Sequence, residues 1–147
     1  MFENCSHSLS ALSGRKRAVL ALFFALAALC LLPRGKPSLS TRAGRCAYLA
    51  ELGCEVDPAS EELREITLPA RFDAVLEEYE RLQRAQGFSL RGAAGRTVLC
   101  CSYDLVSHPD WDGRVIAVLY LYRGRVIGGD LHTADPRGFM RPLLPDW

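Results

Sequence analysis

The chain divides into an N-terminal apolar run and a longer segment in which apolar and polar positions alternate. Residues 18–32 read AVLALFFALAALCLL, with no charged residue, glycine or proline. As an α-helix this run would cover roughly 22 Å, less than the ~30 Å hydrocarbon core of a bilayer. The basic residues at 15–17, 34 and 36 can extend the span by snorkelling. We predict an N-terminal transmembrane helix or signal anchor over residues 18–33.

Two alternatives to an uncleaved anchor are a cleaved signal peptide and a buried helix of a soluble fold. Cleavage requires small residues just after the apolar run, and the residues found there are Pro33, Arg34 and Gly35. The compact basic cluster before the run favours a cytoplasmic N-terminus, with the C-terminal domain outside the cell membrane. The predicted location is therefore a single-pass membrane anchor, and cleavage would instead release a secreted domain.

Apolar residues spaced three or four apart predict two helices after the apolar run. Ser40 or Thr41 caps the first, which continues to about residue 52 and stops at Gly53. The second is predicted to start at Pro69 and to stop at Gly87, with acidic and basic residues on its solvent face.

The remaining elements have the composition and alternation of strands. The predicted strand over residues 114–122 has apolar residues on both faces, which predicts that it lies at the centre of the sheet, partly covered on each side. We expect an α+β domain with an antiparallel sheet of three to four strands and two helices packed on one face. The predicted strands span residues 63–68, 97–106, 114–122 and 125–133.

The charge balance supports this division. The whole chain has a net charge of +1, which is the sum of two unlike parts. Residues 1–36 carry five basic residues and one acidic residue, a net charge of +4. Residues 37–147 carry thirteen basic residues and sixteen acidic residues, a net charge of −3. The thirteen are arginines scattered among acids, which argues against nucleic-acid binding. We expect the lipid bilayer as one partner, through residues 18–33, and an unknown protein or ligand as another. The predicted segments are a basic segment (1–17), the anchor (18–33), a linker (34–40) and the α+β domain (41–147).

The six cysteines show no metal-binding spacing, and we predict no cofactor or metal. Cys46 and Cys54 are either a disulfide that clamps the first helix or two small buried apolar residues. Cys100 and Cys101 are neighbours on a strand and point to opposite faces.

Three polar residues are the candidates for catalysis. Asp130 and His132 lie two apart on one strand, hence on the same face, and Asp104 lies on a nearby strand. Such a pair is either a general base or partial metal site, or a hydrogen bond that fixes the sheet. His108 and Trp111, in the loop over residues 107–113, are candidates for a binding surface.

Five segments carry a resemblance to a known family: YLAELGCEVDP (48–58), ITLPARFDAVLEEYERLQRAQGFSL (66–90), GRTV (95–98), RVIGGDL (125–131) and GFMRPL (138–143). They resemble an uncharacterised family of single-span bacterial proteins, the domain of unknown function forty-eight thirty. Cys54 departs from its pattern, where a tryptophan is expected. The resemblance implies an N-terminal span and brings no known activity.

The anchor, the compact domain and the lack of a catalytic motif favour a non-enzymatic protein. We expect its domain to bind a partner or ligand in the cell envelope, with a small hydrolase or metal-dependent enzyme that uses Asp130 and His132 as the alternative.

Overall fold

The computed structural model describes residues 38–135 and 137–144, which form two α-helices and one antiparallel sheet of five strands. The strands follow one another across the sheet in chain order. This confirms the α+β class. The helices are α1 (Arg42–Glu51) and α2 (Ala74–Ala85), and the strands are β1 (Glu62–Thr67), β2 (Thr97–Asp104), β3 (Val115–Tyr122), β4 (Arg125–Thr133) and β5 (Met140–Pro142).

The predicted N-terminal segments lie outside the described residues. These are the basic segment over residues 1–17, the anchor over residues 18–33 and most of the linker. Within the described part of the chain, neither helix has the length and apolar character needed to cross a bilayer.

Both helices begin at a capping side chain and end before a glycine. Thr41 Oγ1 accepts a hydrogen bond from the backbone N–H of Gly44 at 3.1 Å, and Gly53 follows α1 with φ of +82°. The start of α2 at Pro69 is wrong. Asp73 caps this helix, accepting from the backbone N–H of Leu76 at 2.8 Å, so that α2 begins at Ala74, five residues later than predicted.

The sheet lies between the two helices. Leu49 of α1 packs on alternate residues of β3, including Leu119, whereas Tyr79 of α2 packs on the other face of that strand, beside Tyr120. The prediction of both helices on one face is wrong. The apolar residues on both faces of β3 do indicate this arrangement, because a sheet that is covered on both sides buries both faces of its central strand.

The β3–β4 hairpin explains the paired glycines of β4. Tyr120 of β3 lies opposite Gly128 and Leu121 lies opposite Val126. Ile127 is therefore an extra residue on β4, and it forms a β-bulge. A Cβ on Gly128 would lie 2.9 Å from Leu90 Cδ2, and one on Gly129 would lie 2.2 Å from Leu143 Cδ1. Both glycines therefore allow close packing, one on each face of the sheet, which is a common reason for glycine inside a strand.

Gln83 of α2 and Gln86, which caps the C-terminal end of α2, form hydrogen bonds with the sheet where β5 is too short to pair with β4. The Gly129 N–H donates to Gln83 Oε1 at 2.8 Å, and Gln86 Nε2 donates to the Gly129 carbonyl at 3.1 Å. Gln86 Oε1 also accepts from the backbone N–H groups of Leu143 and Leu144. These side chains satisfy buried backbone groups and join the C-terminal end of α2 to the sheet.

Candidate functional site

An open groove of about 920 Å³ lies between α2 and the sheet. Leu76 and Leu82 of α2 form one wall because they fall on the helix face that packs toward the sheet. Val75 and Met140 stand at the rim, 79% and 55% exposed. Tyr120 of β3 lines the groove on the sheet side. The groove is therefore an apolar surface that the domain leaves uncovered.

Asp130 and His132 of β4 lie together in this groove, as their spacing predicts. Asp130 is buried, and its Oδ1 is 2.7 Å from His132 Nδ1. The Tyr79 hydroxyl donates to Asp130 Oδ2. Both carboxylate oxygens thus have a partner, which offsets the cost of burying the charge.

The carboxylate sets the protonation of its two partners. The hydrogen bond to Asp130 raises the pKa of His132 above its ordinary value, and burial raises the pKa of Tyr79. With its Nδ1 proton directed at Asp130, the imidazole presents Nε2 on the side of the ring away from the carboxylate. That nitrogen is available to accept a proton or to hydrogen bond a bound molecule.

Asp104 does not join the pair. It shares the face of the sheet with His132, but Ile116 of β3 lies between them in the register. Because neighbouring strands are about 4.8 Å apart, the two backbone positions are separated by about 10 Å. Asp104 instead forms an ion pair with Arg114, at 2.8 Å. The structure brings together two of the three predicted catalytic candidates.

The groove has few of the groups that hydrolytic chemistry uses. Among the described residues that line it, none is Ser, Thr or Cys. Over residues 38–135 and 137–144, no three His, Cys, Asp or Glu side chains are placed to hold a metal ion. The titratable side chains that do line the groove are Asp73, Glu78, Tyr79, Tyr120, Asp130 and His132.

Two tyrosines belong to this site and were missed as functional residues. The helical spacing places Tyr79 on the apolar face of α2, and the strand pattern places Tyr120 in the sheet, but neither pattern marks the residue as functional. Their rings meet edge to face with centroids 6.1 Å apart, and burial raises the pKa of Tyr120 to about 12. Nothing in the sequence links residues 41 positions apart, so the contact needed the fold.

Of the two alternatives for Cys46 and Cys54, the structure has the one without a disulfide. Cys46 and Cys54 are free thiols, and both pack in the cluster around Leu49 on the α1 side of the sheet. Burial raises the pKa of Cys54, which disfavours a reactive thiolate. The alternative of two small apolar residues describes their surroundings.

The loop between β2 and β3 packs against the segment that leads into β5. The His108 ring lies 4.9 Å from that of Phe139, and Trp111 meets Phe139 edge to face at 6.1 Å. The Arg141 guanidinium stands 4.4 Å above the Phe139 ring. His108 and Trp111 therefore hold this loop in place, and their role as a binding surface stays a prediction.

A buried ion pair lies on the α1 side of the sheet and was also missed. Arg45 and Glu61 are joined at 2.7 Å, with both side chains 5% exposed, and the Tyr103 hydroxyl donates to the same carboxylate. Burial alone would raise the pKa of Glu61, but hydrogen bonds from Tyr103 and two arginines, the second being Arg42, lower it to about 2. This cluster connects α1 and β2 through Glu61, the residue just before β1, and none of its side chains lines the groove.

Comparison with known proteins found no match among family models, curated proteins or solved structures. Among the described residues, the feature that points to a function is the groove, with its volume, its apolar walls and its small set of polar groups.

Proposed function

We propose that this chain is a membrane-anchored, ligand-binding protein of the cell envelope and that the groove between α2 and the sheet is its binding site. The carrying observation is the groove, whose volume of about 920 Å³ lies within the range of small-molecule sites. The Asp130–His132 pair supplies a polar group among apolar walls, which is the usual composition of such sites.

The exposed apolar rim supports ligand binding over a purely structural role for the groove. Val75 and Met140 are two of four large apolar side chains recorded as exposed in the described residues, and both line the groove. An apolar ligand would remove this surface from water. Burial of about five methylene groups, at about 0.8 kcal/mol each, would contribute about 4 kcal/mol toward binding, before the entropic cost of association is subtracted.

The membrane and envelope parts of the proposal rest on the sequence. The apolar run within residues 18–33 and its basic flanks favour an anchor with the domain outside. The resemblance to the single-span family points the same way. A ligand-binding domain on one transmembrane segment would meet molecules at the outer surface of the cell membrane.

The test uses the two methionines of the chain, Met1 and Met140. The full chain, labelled with methyl-¹³C methionine and held in phosphatidylcholine nanodiscs, is titrated with octan-1-ol. We expect a saturable shift of the Met140 methyl signal, identified by its loss in Met140→Leu, with the Met1 signal unchanged. A Met140 signal that does not move would refute the proposed site.

The matched variants are Val75→Glu and Val106→Glu. Both replace an exposed valine, but only Val75 lines the groove. Glutamate is acceptable at Val75 because an acid in the first helical turn suits the helix dipole. We expect Val75→Glu to raise the Kd for octanol at least about tenfold, and Val106→Glu to leave it unchanged. Equal weakening by both would contradict binding in the groove.

A small hydrolase is the second candidate, favoured by the Asp130–His132 hydrogen bond. In that case His132 Nε2 would take a proton from an attacking water. Hydrolysis of p-nitrophenyl acetate by the wild type and by His132→Ala separates the two. A hydrolase loses activity by about 100-fold or more in the variant, whereas the ligand-binding protein shows the same slow rate in both.

A further inference from the structure

We propose that the groove selects cationic amphiphiles, meaning molecules with an apolar tail and an ammonium group, over anionic ones of the same length. This inference rests on the proposed function and adds the class of its ligand. It follows from the charges of the lining residues, from the capped end of α2 and from the two tyrosine rings.

The charged residues that line the groove are nearly all acidic. Asp73 at the cap of α2, Glu78 of α2 and Asp130 of β4 are carboxylates, and the described lining residues include no lysine or arginine. Glu78 is paired with Arg81, which does not line the groove, so the uncompensated negative charge comes from Asp73 and Asp130. His132 is the sole group there able to carry a positive charge, and it is bonded to Asp130. A ligand cation therefore meets a net negative surface, and a ligand anion meets a repulsive one.

The N-terminus of α2 would normally favour an anion, because its free N–H groups carry partial positive charge. Here the Asp73 side chain already accepts a hydrogen bond from the Leu76 N–H. The carboxylate thus occupies the place that an anionic ligand group would take. The helix end adds no attraction for a second anion.

The aromatic side chains act in the same direction. Tyr79 and Tyr120 both line the groove, beside the buried carboxylate of Asp130. Aromatic rings attract cations through their quadrupoles, and the attraction grows where water is excluded. An ammonium group at the polar part of the groove would meet two rings and a negative charge, while its tail contacts Leu76 and Leu82.

The experiment compares three probes with one tail: octylamine, octan-1-ol and octanoate. Each is titrated into the labelled full chain in zwitterionic nanodiscs near pH 8.5, where the amine is still charged, with Kd referred to the free probe. We expect the Met140 shift to give octylamine a Kd at least about tenfold below that of octanoate, and the ratio to shrink at high salt. Octanoate binding as tightly as octylamine would overturn the inference but leave the proposed function standing. If no probe moves the Met140 signal, the proposed function fails as well.

Charge-removing variants test the cause of the preference. Asp73→Asn keeps the helix cap, because asparagine caps as well as aspartate. Glu78→Gln changes an exposed side chain and leaves its partner Arg81 as an unpaired cation beside the groove. In the double variant the ratio of octanoate to octylamine Kd should fall to within about threefold. Glu51→Gln, on the exposed surface of α1, should retain the wild-type ratio. A ratio unchanged in the double variant would contradict an origin in these carboxylates.

Discussion

Glu61→Gln would remove the carboxylate that Arg45 and Tyr103 bind beneath α1, while keeping the shape of the side chain. In the wild type this carboxylate is 5% exposed and has its pKa lowered from 4.5 to about 2. Because the charged form is favoured in the folded state, it stabilises the domain fully above about pH 4.5. That stabilisation is lost as the pH falls through the folded value.

The pKa values set the size of the effect. Their difference corresponds to about 3 kcal/mol, at about 1.36 kcal/mol per pH unit. At neutral pH, Glu61→Gln also leaves Arg45 buried without its full counter-charge, so we expect a loss of about 3 kcal/mol in the free energy of unfolding. Between about pH 5 and pH 3 the wild type should lose about 2 kcal/mol relative to the variant, because only the wild type has a carboxylate to protonate.

Urea unfolding of the full chain in nanodiscs, followed by near-ultraviolet circular dichroism at each pH, measures both quantities. Glu65→Gln is the control, since Glu65 is exposed on the adjacent strand β1. It should stay within about 0.5 kcal/mol of the wild type. A difference between wild type and Glu61→Gln that remains constant from about pH 5 to pH 3 would refute the reasoning.

Three further results are expected. Gly129→Ala should cost at least about 2 kcal/mol in urea unfolding, because its Cβ would lie 2.5 Å from the backbone carbonyl oxygen of Val118 as well as 2.2 Å from Leu143 Cδ1; a cost below about 0.5 kcal/mol would mean that the sheet makes room for the methyl group. Asp130→Asn should lower the pKa of His132 in an NMR titration, since the carboxylate raises it; in the wild type the pair stabilises below about pH 6.5 and the stabilisation fades as the pH rises through the higher folded value. Intact-mass spectrometry of the chain from membranes should find residues 18–33 retained, and a mass lacking them would exclude the anchor.

The elements that sequence could predict are those with a local cause. The stops of both helices at Gly53 and Gly87 and the turn at Gly124 follow from glycine at positive φ, and all three are present. The predicted start of α2 is wrong because two residues, Pro69 and Asp73, each suit a helix N-terminus, and local sequence does not decide between them. In the fold the helix begins after Asp73. The strand β5 has three residues, too few to show a period.

The candidate site was predictable only as far as one strand reaches. Asp130 and His132 share a face because they are two residues apart, and the alternation of a strand is enough to show it. Tyr79 joins them from a helix 51 positions away, and the spacing of α2 gives it the same appearance as any core residue. Arg45 and Glu61 are likewise brought together by tertiary packing, and no local sequence pattern indicates that these two charged residues are buried.

The contacts between α2 and the sheet fix the width of the groove. Gln83 and Gln86 hold the C-terminal end of the helix to the backbone of the sheet, and Tyr79 holds its N-terminal half through the hydrogen bond to Asp130. The groove is therefore largely preformed. A ligand that enters it does not have to offset the cost of moving the helix.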